Sequence, residues 1–206
     1  MAESTRSRAH HYRFETRWLV PGAVAEVADV LFDPEDLVRW WPAVYLRVRQ
    51  VAPAGEDGVG ARFDLHTTGW LPYTLRWHMH VTRHTPSSSV FTATGDLAGR
   101  GEFRLSQRGP LVEVLFDWRV RANKPLLRWF SPALRPVFAA NHRWAMAQGE
   151  RSLRVELLRR RATTAAEAAE VPPPPRRTAA GPLPVVGTLA VLGGGALVLT
   201  RALRRH

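Results

Sequence analysis

Residues 102–121 read EFRLSQRGPLVEVLFDWRVR. Residues 102–107 and 111–121 alternate between apolar and polar side chains, the period of two that marks a strand with one buried face. Arg108-Gly109 between them predicts a two-residue hairpin turn, because glycine tolerates the positive φ that such a turn requires. That turn sets Leu105 opposite Val112, Phe103 opposite Val114 and Arg104 opposite Glu113. Phe116 and Trp118 share the apolar face, and Glu113 and Asp117 point the other way. A sheet of such strands is antiparallel and covered on one side only.

The pattern extends upstream. YRFETRWLV (12–20) is a half-buried strand with Tyr12, Phe14, Trp18 and Val20 on one face, ended by Pro21-Gly22. Ala23 to Phe32 reads as a short helix with Val24, Val27, Val30 and Leu31 at helical spacing. DPEDLVRWW (33–41) reads as a second, with Asp33 as cap and Pro34 at the first position. Strands follow at 44–51, 61–67, 73–81 and, more weakly, 89–95. Pairing Phe63 with Trp77 and Leu65 with Leu75 aligns the apolar sides, and sets Asp64 opposite Arg76 and Arg62 opposite His78.

After a lead-in at 124–130, Ser131-Pro132 predicts a helix start, serine capping and proline at the first position. Pro136 lies early enough to cost few helical hydrogen bonds. The helix should run to about Arg161. At 100° per residue, Phe138, His142, Ala145, Met146, Gly149, Leu153 and Leu157 form one stripe, while Val137 and Trp144 point elsewhere. The order predicts an α+β fold: a curved antiparallel sheet of six to seven strands wrapped on a long C-terminal helix. One helix cannot fill so broad a concavity. A cavity is therefore expected between helix and sheet, closed at one end by the two short helices.

Residues 12–160 resemble the START-like (SRPBCC) superfamily, and within it the polyketide cyclase/dehydrase and lipid-transport group. YRFETRWLV, PGAVAEVADVLFDPEDLVRWWP and NHRWAMAQGERSL carry the likeness. The resemblance implies a helix-grip fold with a ligand cavity between sheet and long helix. Members bind or transform sterols, lipids, quinones, aromatic polyketides and plant hormones, so it does not name a ligand.

The residues expected to meet a hydrophobic ligand are Trp40, Trp77, Trp118, Phe116, Phe138, His142 and Met146. Inward tryptophans fill cores, and they also suit a flat apolar guest. His142 falls inside the apolar stripe. It is either a hydrogen-bonded core histidine, a polar contact to the ligand, or a general acid/base. No nucleophile elbow, paired-carboxylate site or phosphate-cradling glycine loop is visible. The acidic residues of the strands, Glu15, Asp64, Glu102, Glu113 and Asp117, fall on the outward parity. The reading is a binding protein for a lipid, quinone or polyketide-like molecule. The alternative is a cyclase or dehydratase with His142 as acid/base. His78 and His80 share a strand face at zinc-ligand spacing, but Arg62 and Arg76 on that face would repel a cation and His66 is too distant. No metal or cofactor is expected.

The chain has 206 residues, no cysteine and a formal charge of +11, and of its 29 basic residues only Lys124 is lysine. Disulfides and cysteine-based zinc sites are excluded. The arginines are interleaved with acids, not gathered into a nucleic-acid motif, so no nucleic-acid partner is expected. The organisation reads as a flexible 1–11, a ligand-binding domain at 12–161, a Pro/Ala-rich linker at 162–182, an apolar segment at 183–200 and a basic 201–206. Residues 178–200 carry no charge. As a helix, 183–199 would span about 26 Å, against the roughly 30 Å of a bilayer core. A C-terminal membrane anchor contacting lipid is the expectation. The opening residues lack the apolar run of a signal peptide, which places the domain on the cytoplasmic side of the cytoplasmic membrane. Arg201, Arg204 and Arg205 would then cross, against the positive-inside tendency.

Overall fold

The structure, a computed structural model, describes residues 11–122 and 135–176. The expected lead-in at 124–130, the Ser131-Pro132 cap, the segment at 183–200 and the basic residues 201–206 lie outside the described residues. The elements are β1 (His11–Pro21), α1 (Val24–Leu31), α2 (Leu37–Trp40), β2 (Tyr45–Ala52), β3 (Arg62–Thr68), β4 (Thr74–Thr85), β5 (Ser88–Gly95), β6 (Leu97–Arg108), β7 (Leu111–Ala122), α3 (Arg135–Arg161) and α4 (Ala165–Glu170). The strands form one antiparallel seven-stranded sheet in the order β1-β7-β6-β5-β4-β3-β2. The fold is α+β, as the alternation predicts.

Two registers differ from expectation by two residues each. In the β6–β7 hairpin the turn is Gly109-Pro110, so Leu105 faces Val114 and Phe103 faces Phe116. Gly109 takes φ +59 as the first turn residue. Pro110, with its fixed negative φ and no N–H to donate, suits the second. In β3–β4, Leu65 faces Trp77, Phe63 faces Met79, Asp64 faces His78 and Arg62 faces His80. There the hydroxyl of Thr68 donates to the carbonyl of Tyr73 at 3.2 Å, and the N–H of Leu71 donates to Asn141 Oδ1 at 3.3 Å. The turn is shaped partly by the long helix, which strand patterning cannot reveal. A shift of two keeps every side chain on its predicted face.

β6 also starts earlier than expected. Its first residues, LAGRG, lack apolar alternation. A Cβ on Gly101 would stand 2.3 Å from the ring of Phe91, so the missing side chain makes room for an aromatic from β5. The second short helix is shorter than expected. Asp33 Oδ1 accepts from the N–H groups of Glu35 and Asp36, but only Leu37–Trp40 is helical. The predicted linker begins with α4, whose Thr164 and Glu167 close a capping box.

The core divides in two. One cluster lies between α1, α2 and the C-terminal half of α3, and includes Trp18, Val27, Trp40, Leu153 and Leu157. Trp144, expected to point elsewhere, packs half-buried against it. The other lines the concave face of the sheet, around Phe63, Trp77, Phe91 and Phe116. Tyr45, Val48, Phe103 and Met146 touch both. Two buried contacts help to pin α3. Trp41 occupies the space beside Gly149, where a Cβ would come within 2.3 Å of the indole. Further along the helix, Glu156 is 1% exposed and accepts from Arg39 at 2.7 and 2.8 Å and from Arg160 Nε at 2.9 Å. Arg39 and Arg160 both also pair with Asp36, which ties α2 to α3.

Burial alone would push the Glu156 carboxyl up, but the hydrogen bonds from Arg39 and Arg160 hold it below the usual glutamate range. A carboxylate with a depressed pKa stabilises the fold above its unfolded value and stops doing so as pH falls through the folded one. Glu156→Gln should therefore lower unfolding free energy at neutral pH by about 3 kcal/mol, the low end for a broken buried pair because the arginine heads stay partly solvated. In urea melts the gap from wild type should close as pH drops below the ordinary glutamate range.

Candidate functional site

Between the concave face and the N-terminal half of α3 lies a cavity of about 470 Å³. Its sheet side is a run of aromatic rings. Phe103 and Phe116 stack at 4.1 Å, Phe116 and Trp118 at 5.9 Å, and Trp77 stands 6.1 Å from Trp118. These rings come from strands whose inward residues are mostly apolar, and the polar atoms among them find partners within the wall. Trp77 makes the point: its indole N–H donates to Thr67 Oγ1 at 3.1 Å within the wall.

Of the residues expected at a ligand site, Trp77, Trp118, Phe116, Phe138, His142 and Met146 all line the cavity. Trp40 does not. It is fully buried in the helix-side cluster, 5.4 Å from the stacked ring of Trp41, and Trp41 is the one that reaches the cavity wall. The two tryptophans are consecutive at the end of a single turn, so helical spacing could not tell which faced the void. Sequence reasoning also missed Tyr45, Tyr73, Thr67 and Asn141 as wall residues. Asn141 was legible only as the neighbour of His142 on the helix.

His142 sits against the ring of Phe14, centroids 4.1 Å apart, with Nε2 3.5 Å from Thr16 Oγ1. Burial, with help from the nearby Arg143 charge, pushes its pKa down to about 4. Burial, with the neighbouring Tyr12, pushes the phenol of Tyr73 up to about 12, and burial pushes that of Tyr45 up as well. At neutral pH the imidazole and both phenols are therefore uncharged. Asp33 and Glu35 line the cavity where the α1–α2 connection meets it. Among the described lining residues there is no arginine or lysine.

The outward histidines are placed differently. His78 Nδ1 stands 2.7 Å from Asp64, which also pairs with Arg49. His66 faces Arg76, not Thr74 as the expected register had it.

No family model matches the sequence, and no curated protein matches it. Solved structures do. TTHA0849 from Thermus thermophilus is 16% identical, covers 73% of this chain and 100% of its own, and superposes with a TM-score of 0.63. The Zhui aromatase/cyclase from a Streptomyces species is 17% identical over 76% of this chain and 98% of its own, with a TM-score of 0.59. A START superfamily protein from Mycobacterium smegmatis is 14% identical over 72% and 97%, with a TM-score of 0.54. The shared fold is the helix grip, a curved antiparallel sheet on a long C-terminal helix. At such identities the likeness is one of fold.

The neutral state of His142 has a thermodynamic consequence. Its folded pKa, about 4, lies below the ordinary 6.5, so between these values the unfolded chain binds a proton that the folded chain does not. Stability from this group is complete above pH 6.5 and is lost as pH falls towards 4, by up to about 1.4 kcal/mol per pH unit. His142→Phe should flatten that part of a stability-versus-pH profile measured by urea unfolding. An unchanged slope would place the titration elsewhere.

Proposed function

We propose that this chain binds an uncharged apolar small molecule in the helix-grip cavity. The observation that carries the reading is the cavity itself: about 470 Å³ of aromatic-lined room whose half-buried histidine is held neutral. A volume of that size falls within the range of small-molecule sites, which are largely apolar with a few placed polar groups. Stacking rings suit a flat guest such as a quinone or polyketide, and Asn141, His142 and Tyr73 offer hydrogen bonds. The neutral naphthalene-type probe N-phenyl-1-naphthylamine should bind one equivalent and quench the fluorescence of Trp77 and Trp118. Met146→Trp, which fills the void from the helix side, should weaken binding at least about tenfold while leaving the fold intact. Equal affinity in the filled variant would count against the cavity as the site.

A cyclase-type enzyme is the second reading, favoured by the placing of His142 in the cavity and by the likeness in fold to the Zhui aromatase/cyclase. The low pKa of His142 weighs against it. On the order of one imidazole in a thousand would be protonated at neutral pH, a poor supply for a general acid. The group is better suited to accept or share a hydrogen bond. Loss of turnover in His142→Ala with probe binding retained would favour the enzyme.

The tether belongs to the same proposal. Residues 178–200 carry no charge and are followed by three arginines within 201–205. Among the described residues no helix is long and apolar enough to cross a membrane, and 183–200 lies outside them. We read 183–200 as an anchor that keeps the cavity near lipid on the cytoplasmic side. Removing residues 178–206 should move the protein from the membrane to the soluble fraction; unchanged fractionation would remove the tether.

A further inference from the structure

The outer face of the sheet has an unusual charge order. Arg13 on β1, Arg119 on β7 and Arg100 on β6 stand in register, directly beside one another across three strands. The next outward row is acidic: Glu15, Asp117 and Glu102. The row after it returns to Arg17, Leu115 and Arg104. Like charges directly opposite one another destabilise a sheet. Here two of the acids are each shared between two cations. Asp117 pairs with Arg13 at 3.5 Å and Arg119 at 2.9 Å, and Glu102 pairs with Arg100 at 3.0 Å and Arg104 at 3.9 Å. One carboxylate between two guanidinium groups leaves a net positive charge. The arginine side chains remain 63% exposed at Arg13 and 57% at Arg119, and each guanidinium has five donors, more than these bonds use.

At the end of that face the surface sinks into a hollow of about 460 Å³ lined by Arg13, Arg119 and Arg121. Ala98, opposite Arg121, and Gly99 line it too and fill little of its space. Tyr12 and Val120, paired across β1 and β7, line both this hollow and the apolar cavity, so the two spaces share one wall. A cationic patch thus abuts one end of a cavity suited to apolar cargo. Outside the described residues the chain continues into the uncharged stretch 178–200.

We infer that the β1–β7–β6 end of the outer sheet face docks on an anionic phospholipid surface, Arg13, Arg119 and Arg121 holding headgroup phosphates while the adjoining cavity end is brought to the lipid. Charge complementarity selects the occupant: a bilayer presents many phosphates to a row of cations at once, and residues 178–200 can enter the same bilayer. The inference rests on the proposed ligand reading only for what would be delivered, not for the docking.

The test uses the full chain and flotation with vesicles of phosphatidylcholine alone or with about 30 mol% phosphatidylserine. The uncharged stretch gives association that does not depend on phosphatidylserine, whereas the arginines that flank it and those of the sheet face each add to the increment on adding that lipid. The part of the increment that Arg13→Gln/Arg119→Gln/Arg121→Gln removes reads the sheet face. That part should be about tenfold in partition coefficient at low salt and vanish in about 0.5 M salt, where charges are screened within a few ångströms. N-phenyl-1-naphthylamine binding without vesicles reports the cavity separately, so a failed cavity and a failed docking face give different patterns. No increment in the wild type, an increment that survives high salt, or one undiminished in the triple variant would overturn the inference. So would arginine-dependent binding to a single-stranded oligonucleotide tighter than to the vesicles.

Discussion

The indole of Trp41 occupies the space that a side chain at position 149 would need, and this contact decides where the long helix lies. Trp41 is held from three sides by Trp18, Trp40 and Tyr45, all with ring centroids within 5.7 Å. The helix is therefore drawn close at Gly149 and again at Glu156, where Arg39 and Arg160 converge on one buried carboxylate. Leu153 and Leu157 between and beyond them are fully buried. The half before Gly149 meets the sheet through the stack of His142 on Phe14 and the bond from the Leu71 N–H to Asn141, and Phe138, His142 and Met146 line the cavity there. A helix drawn tight at one end of a curved sheet leaves room beside the other, and the cavity follows from that geometry.

Charge is sorted along the same lines. Arginines and their carboxylate partners occupy the outer face of the sheet and the α2–α3 junction, where water or a paired acid can reach them. Inside, burial keeps the imidazole of His142 uncharged, and the phenols of Tyr45 and Tyr73 carry no charge at neutral pH. An ion brought into such a space without a counter-charge would lose most of its hydration, whereas an apolar guest loses little. The separation is the physical basis of both proposals, a neutral guest inside and an anionic surface outside.

Much of this was legible before any coordinates. Strand parity placed Trp77, Phe116 and Trp118 on the inner face, and the helical stripe placed Phe138, His142 and Met146 opposite them. A side chain's face depends only on its own position within the period, so parity survived registers that were wrong by two residues. What failed depended on partners distant in sequence. The β3–β4 turn is held by Asn141 from the long helix, β6 is extended through a glycine, Gly101, that makes room for Phe91, and Trp40 and Trp41 differ in role according to which of them meets Gly149. Glu156 gave no signal, since a glutamate among arginines on a helix reads as surface until the helix is docked.

The central claim is that dry, unfilled space separates the aromatic floor of the sheet from the helix. Diffraction from crystals of the protein pressurised with xenon tests it most directly, because xenon enters apolar voids and leaves close-packed cores and polar, hydrated ones untouched. The account predicts strong xenon peaks between Trp77, Phe116 and Met146. Continuous side-chain density across that gap, with no xenon bound, would contradict it.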